Sequence, residues 1–463
     1  MSPAVDEARL ERELHDVGRR LAAAMPSGLR NPMKAVDDKA MDLASADGEL
    51  KAALFRFVDV VPACRNLDDL ARHLTGFLGE LETPPPPVSV AMKMGNTRAG
   101  RTALGAAAAA GVKHMAQRFI VGESPKAAMG ELRDLWKDGV ASTVDLLGEA
   151  TVTQDEAQRY AERCATALEE LAASTRNWPA RPALEGDSSG PLPRSNLSVK
   201  VSALTPLLRP DAPEKGQRDA AQRLRGLLRR ARELGAHLHI DMESLDSRDA
   251  VTQLILDLLG EDEFAEGPSA GLVLQAYLRD SPATAGLILD WATTGAGAHR
   301  AQPLTVRLVK GAYWDHEIVQ ARQHGWPAPV FDVKADCDLN FEALTRRLID
   351  ARGKVRVAIA SHNLRSVSHA IAYNRLSGGE DRDLELQVLR GLGDPMQEAL
   401  VRVSNPPLRV RTYCPVGDLV AGMAYLVRRL LENTSNDSFL LAQQQGTSLD
   451  TLLAKPTPSP AYA

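Results

Sequence analysis

Residues 304–317 read LTVRLVKGAYWDHE, and the parsing of this run decides the fold. Leu304, Val306 and Leu308 alternate with Thr305, Arg307 and Val309, the period of a β-strand with one apolar face. Lys310, Gly311, Ala312, Tyr313 and Trp314 then break that period with a cation, a glycine and two aromatics. A strand buried only for packing has no use for such an ending.

Six further runs share the alternation: 197–203, 237–243, 271–277, 355–361, 384–390 and 408–414. Helical segments separate them and carry start and stop signals, such as Ser281-Pro282, Asp394-Pro395 and Gly235. Repeated βα units of this kind predict a parallel sheet, and seven of them in so short a span predict a distorted (β/α)8 TIM-like barrel of the α/β class. The eighth strand has no clear signature; 438–440 is one candidate.

Upstream, residues 5–180 read almost wholly as helix, with segments at 51–61, 67–81 and 103–119 and a polyproline spacer at 84–87. The composition turns to Pro, Gly, Asp and Ser over 181–194. The expected division is an all-α N-terminal domain (arm and helices) at 1–185, the barrel at 190–445, and a Pro-rich tail at 446–463 that reads as a linker.

Bulk composition narrows the function. The chain has 463 residues, 44% of them hydrophobic, and 60 acidic against 55 basic side chains give a formal charge of -5. No basic field exists to recruit nucleic acid. Cys64, Cys164, Cys337 and Cys414 form no Cys-x-x-Cys pair, which argues against a zinc cluster and a disulfide framework. Residues 2–7 lack the basic start and apolar core of a signal peptide, and no apolar run approaches ~20 residues. A cytoplasmic protein, at most peripheral to the inner face of the membrane, is expected.

The alternation places Leu197, Val199, Leu238, Ile240, Val306 and Leu308 toward the helices and their neighbours toward the barrel axis. The inward set is Lys200, His237, His239, Asp241, Glu243, Gln275, Tyr277, Arg307, His362, Gln387, Arg411 and Tyr413. Barrel interiors are ordinarily filled with Val, Ile and Leu, and buried charge needs a partner. A ligand at the C-terminal strand ends explains the set; the competing explanation is an internal salt-bridge network in which Asp241 and Glu243 neutralise Lys200 and Arg307.

RLVKGAYWDHE, with QAY at 275–277, SHN at 361–363 and YCPVGDLVAGMAYLVRRLLEN at 413–433, resembles the proline dehydrogenase half of the bacterial proline utilization A enzymes. LFRFVDVVPACRNLDDLARHL at 54–74 is similar to that family's N-terminal helical domain. The resemblance implies non-covalent FAD and oxidation of L-proline to Δ1-pyrroline-5-carboxylate, the first step of proline catabolism. It implies flavin contacts from Gln275, Arg307, Val309, Lys310, Gly311, Ala312, Trp314, Ser361, His362, Asn363, Glu432, Ser438 and Phe439. It further implies a proline pocket of Lys200, Asp241, Tyr313, Tyr413, Tyr425, Arg428 and Arg429, of which Lys200, Asp241, Tyr413, Arg428 and Arg429 serve the chemistry. The ending of the opening strand is then a flavin seat, with Trp314 on the adenine. No Gly-x-Gly-x-x-Gly follows a strand, so a Rossmann site is not indicated.

Over 418–433, Tyr425, Arg428 and Arg429 share a helix face at i, i+3 and i+4, and two guanidinium groups there suit one carboxylate. Departures from the family pattern are Ser244, Ser361, Cys414 and Thr434, the last where a glycine is usual. A membrane quinone is the implied electron acceptor, and an aldehyde dehydrogenase, separate or missing from this chain, the implied partner. Two rivals stand beside this reading: a metal-dependent hydrolase built on His237, His239, Lys310 and His362, although no metal site is expected, and a flavin-responsive interaction module. The run Arg223, Arg225, Arg229, Arg230, Arg232 reads as a solvated helix face.

Overall fold

A computed structural model describes residues 5–26, 48–148, 151–404, 407–418, 422, 425 and 446–460. Helices lead the chain: α1 (Glu7–Ala24), α2 (Gly48–Val60), α3 (Leu67–Leu78), α4 (Pro86–Met94), α5 (Arg98–Phe119) and α6 (Pro125–Lys137). Local chemistry sets their starts. Asp6, Asn66, Thr97 and Ser124 each accept a backbone N–H of the first turn.

The first barrel strand, β1 (Val140–Leu146), follows directly. After helix α7 (Gln154–Thr175) comes a small hairpin, β2 (Gly186–Asp187) with β3 (Gly190–Pro191). Seven more barrel strands follow: β4 (Asn196–Lys200), β5 (His237–Asp241), β6 (Ser269–Gln275), β7 (Leu304–Val309), β8 (Val355–Ala360), β9 (Leu384–Leu389) and β10 (Arg409–Val416). Each of β4 to β9 pairs in parallel with the next, and β1 closes the barrel between β10 and β4. The helices between them, α8 (Pro213–Leu234), α9 (Leu245–Leu259), α10 (Ser281–Thr293), α11 (Trp314–His324), α12 (Lys334–Asp350), α13 (Leu364–Leu376) and α14 (Asp394–Arg402), surround it.

All seven expected strands are present. Six were read one to three residues too far at the C-terminal end, because alternation continues past the last ladder bond; Val201–Ala203, for example, is a 3₁₀ turn. The eighth strand is Val140–Leu146, inside the stretch expected to be all helix, so the barrel begins well before the division expected at 185–190. All seven of its residues are buried. Val140, Val144 and Leu146 alternate with Ala141, Thr143 and Asp145, but Ser142 breaks the apolar set, so the period of two is weak there. The candidate at 438–440 lies outside the described residues.

Leu197, Val199, Leu238, Ile240, Val306 and Leu308 are fully buried against the helices, as the alternation requires. A second apolar cluster joins Phe57, Leu74, Leu104 and Phe119 of the leading helices to Leu147 and Tyr425, with Tyr413 at its edge. The leading helices thus sit over the end of the barrel where the strands terminate. A backbone seam fixes them there, with Val121 N–H donating to Pro415 O and Gly417 N–H to Gly122 O, each at 2.9 Å. Among the described residues, no helix is long and apolar enough to cross a membrane.

The tail does not behave as a free linker over its described part. Leu453, in the short helix α15 (Leu449–Leu453), is completely buried, and its side chain fills the space where Gly18 of α1 lacks a Cβ. Arg365 of α13 donates to Leu453 O at 2.6 Å, and Ser459 N–H donates to the buried Asp336 carboxylate at 2.8 Å. Leu453→Ala should lower the unfolding free energy by about 2–5 kcal/mol, the range for a buried Leu-to-Ala change, when measured by urea denaturation. A loss within about 0.5 kcal/mol, typical of surface positions, would mean that the tail is not docked.

Candidate active site

The C-terminal ends of the strands bring four charges together. Lys200 Nζ lies 2.7 Å from Asp145 Oδ1 of β1 and 3.7 Å from Asp241 Oδ2 of β5. Arg307 Nη1 donates to Asp241 Oδ1 at 2.6 Å, and Tyr413 Oη donates to Asp241 Oδ2 at the same distance. The Arg307 guanidinium lies 5.4 Å from the centre of the Tyr413 ring, within cation–π range. Burial, together with the carboxylates of Asp145 and Asp241, pushes the Tyr413 phenol far above its ordinary value, so it remains a donor.

Below this group the polar chain continues down the axis. Arg307 Nε donates to Gln387 Oε1 and Gln387 Nε2 to Glu385 Oε1, each at 2.6 Å. Arg411 binds Glu385 through Nε at 2.8 Å and Nη2 at 3.1 Å. Burial alone would raise the Glu385 carboxyl, but Arg411 and Arg409 outweigh it and hold the group well below the carboxylate range. At the N-terminal ends, Asp187 of the small hairpin plugs the barrel and meets Arg356 at 3.0 Å and Arg409 at 3.2 Å.

The explanation of the inward polar set by an internal salt-bridge network therefore holds in part. Lys200 and Arg307 are neutralised internally, but by Asp145 and Asp241. Glu243, expected in that role, stands past the end of β5, where it accepts from Ser202 Oγ and its backbone carbonyl accepts from Gln275 Nε2 at 2.8 Å. Asp145, Ser198 and Glu385 were not anticipated. Asp145 had one usable signal, the run 139–148 bracketed by Gly139 and Gly148, whose φ angles of 82° and 86° mark turns at either side.

The other anticipated residues fall into distinct places. Gln275 Oε1 is buried and has no hydrogen-bond partner among the described residues. Val309 ends β7; Lys310 pairs with Asp338, which also meets Lys334 at 2.7 Å. Gly311 has φ 138°, and a Cβ there would stand 2.3 Å from the Tyr277 ring. Tyr277, expected inside the barrel, lies instead in a cluster with Ile318, Val330 and Phe331, because β6 ends two residues before it. Ala312 is exposed, Tyr313 packs beside that same cluster, and Trp314 is 39% exposed with its Nε1 anchored to Phe331 O at 2.9 Å.

Ser361 and Asn363 shape the turn into α13: Ser361 Oγ accepts Asn363 N–H, and Asn363 Oδ1 accepts Ser366 N–H. His362 Nε2 accepts Leu389 N–H at 2.9 Å. Tyr425 is buried in the apolar cluster beneath the leading helices. Arg428, Arg429, Glu432, Ser438 and Phe439 lie outside the described residues.

The metal-hydrolase constellation does not assemble. His237 and His239 sit at the N-terminal half of β5, where His237 Nδ1 bonds Ser269 Oγ at 2.8 Å and His237 Nε2 faces His239 Nδ1 at 3.2 Å. Lys310 and His362 are engaged at the opposite ends of their own strands. Gly271 has no Cβ because the His239 ring would meet it at 2.4 Å. Of the run of arginines on α8, Arg223, Arg225, Arg229 and Arg230 pair with acids, as in Arg225–Glu261 and Arg230–Glu169, and Arg232 donates to the backbone carbonyl of Glu263.

A closed parallel barrel with ionisable groups gathered at its C-terminal rim defines the class of (β/α)8 enzymes. The chain belongs to the proline dehydrogenase family: that family's model matches residues 128–442, and the model of the proline utilization A N-terminal domain matches 11–119. It is 32% identical over 350 residues to the bifunctional protein PutA of Salmonella typhimurium, covering 74% of this chain and 25% of that protein. It is 26% identical over 329 residues to the proline dehydrogenase of Deinococcus radiodurans, covering 71% of this chain and 89% of that one. Among solved structures, proline utilization A from Bdellovibrio bacteriovorus inactivated by N-propargylglycine superposes with a TM-score of 0.86 at 33% identity, over 97% of this chain and 45% of that one. The chain thus spans about a quarter of the length of the curated PutA relatives it matches.

Three buried imidazoles make stability depend on pH. Burial, and then neighbouring arginines, depress His237 to about 3 and hold His239 and His369 well below the ordinary histidine range. Folded, they stay neutral; unfolded, they take up protons below about 6.5, so the stabilisation is complete above that pH and is lost as pH falls toward the native values. Urea denaturation should show a decline below pH 6.5 that steepens toward about 1.4 kcal/mol per pH unit for each histidine. A flat profile between pH 7 and 5 would contradict neutral burial.

Proposed function

We propose that this chain is an FAD-dependent proline dehydrogenase that oxidises L-proline to Δ1-pyrroline-5-carboxylate, the first step of proline catabolism. The observation that carries the reading is the Asp241 carboxylate, held between Lys200, Arg307 and Tyr413 at the rim of a barrel matched by the proline dehydrogenase family model.

The residues present fit a flavin dinucleotide. Gln275 Oε1 is a buried acceptor without a donor among the described residues, and a ring N–H would supply one. Trp314 leaves its indole partly exposed, an aromatic face suited to adenine. On this reading Arg307, the backbone of Val309 to Ala312, Ser361, His362, Asn363, Glu432, Ser438 and Phe439 complete the cofactor site. When bound, FAD supplies the hydride acceptor at N5.

The chain's own residues do the positioning. Arg428 and Arg429 pin the substrate carboxylate, while Tyr313, Tyr413 and Tyr425 bound the ring, so that the carbon beside nitrogen is presented in one orientation. The alternation of Asp145, Lys200, Asp241 and Arg307 keeps the floor of the pocket charged yet balanced, which favours entry of a zwitterion over an apolar amine. Electrons leave to a membrane quinone, with the protein cytoplasmic and at most peripheral to the inner membrane face; an aldehyde dehydrogenase, in the same longer protein or separate, consumes the product. The bifunctional names of the curated relatives support that last partner.

Purified protein should be yellow, or become so with FAD, and bleach when L-proline is added without oxygen. A protein that takes up no FAD would overturn the assignment. Arg428→Met or Arg429→Met should raise the KM for proline roughly ten- to hundredfold with flavin retained, the equivalent of one charge-assisted hydrogen bond. Unchanged kinetics in both variants would remove them from the pocket.

A further inference from the structure

We infer that Gln387 is a positioning residue for the reaction: its side-chain amide fixes the plane of the Arg307 guanidinium, and Glu385 fixes the amide. The inference rests on the reading above, in which Arg307 lies against the flavin ring. Arg307 is almost wholly buried and, among the described residues, has one charged partner, Asp241. That carboxylate is shared with Tyr413 at 2.6 Å and Lys200 at 3.7 Å, and it binds only Nη1, so it leaves the guanidinium free to pivot. Ser198 Oγ, at 3.4 Å from both Nη1 and Nη2, is too distant to hold it firmly. The 2.6 Å bond from Nε to Gln387 Oε1 is the second short contact, and with the covalent attachment at Cδ it makes the three points that set a plane.

The orientation of the amide follows from chemistry. Glu385 can only accept a hydrogen bond while ionised, and Arg411 holds it with two contacts at 2.8 and 3.1 Å. The nitrogen of Gln387 must therefore face Glu385, at 2.6 Å, and its oxygen must face Arg307. The order carboxylate, amide, guanidinium is one in which each group has the donor or acceptor its neighbour needs. A carboxylate at position 387 would oppose Glu385, and an aliphatic side chain, the ordinary filling of a barrel, would leave Arg307 Nε and a Glu385 lone pair buried and unpaired.

The test uses the full chain loaded with FAD, comparing Gln387→Met, isosteric but without the amide, and Gln387→Asn, one methylene too short to bridge Glu385 and Arg307. Removing a short bond to a charged group should lower kcat with L-proline roughly ten- to hundredfold while KM moves much less. The flavin midpoint potential should fall by about 30 mV for each tenfold weakening of its reduced form, the constant for a two-electron couple. In an Arg307→Met background the same substitutions should add nothing, since Gln387 acts through Arg307. A folded Gln387→Met enzyme with unchanged kcat and potential would overturn the inference, as would fully additive losses in the double variant; if Gln387→Met fails to fold, Gln387→Asn decides by the same criteria. An unsubstituted chain that binds no FAD overturns the function and this inference together, whereas a yellow, active chain with indifferent variants overturns the inference alone.

Discussion

One buried carboxylate, Asp241, dictates what the rest of the barrel must do. A charge this far from water needs partners, and it takes them from three other strands: Lys200 of β4, Arg307 of β7 and Tyr413 of β10. Each partner brings its own demand. Lys200 requires Asp145, Arg307 requires Gln387, and the column below continues through Glu385, Arg411 and Arg409 to Asp187. Ionic interiors of this kind are seldom net stabilisers, because desolvation takes back most of the attraction. They do make one arrangement of eight strands better than any register-shifted alternative, since a slip of one residue would strand a charge among leucines.

The small hairpin of β2 and β3 becomes intelligible in that light. Arg356 and Arg409 both point into the lower end of the barrel, and a single Glu385 cannot neutralise them along with Arg411. Asp187 supplies the missing negative charge from outside the sheet, at 3.0 and 3.2 Å. The plug is an electrostatic part of the core as much as a steric one.

Most of the barrel was legible in the sequence, because seven strands have one apolar face and the other studded with polar groups, so the period of two is plain. Val140–Leu146 was hidden by its composition: Ser142 interrupts the apolar set Val140, Val144 and Leu146, so the period of two set by Thr143 and Asp145 is short, and it lies between two helices. The site shared this fate. Lys200, Asp241, Arg307 and Tyr413 were legible as polar residues on strands, and the motif resemblance drew them together. Asp145, on the strand that was overlooked, could not be paired with Lys200. Tyr277 was misplaced because alternation was carried two residues beyond the last ladder bond of β6, and the chain had already turned outward toward Phe331.

The pairing of β1 with β10 has a consequence for biosynthesis. Val140 finds its ladder partner in Val410, so the barrel cannot close until nearly all of it has left the ribosome. At ~5–20 residues per second, β1 waits on the order of tens of seconds with one edge lacking its partner. Such an edge invites pairing with other chains. The leading helices offer a remedy while they wait, since α6 packs directly on β1 and α7 follows it, and together they can shield its apolar face from neighbouring nascent chains. Slow decoding between β1 and β10 would lengthen the exposure, so the yield of folded protein should respond to translation speed in this interval more than to speed elsewhere.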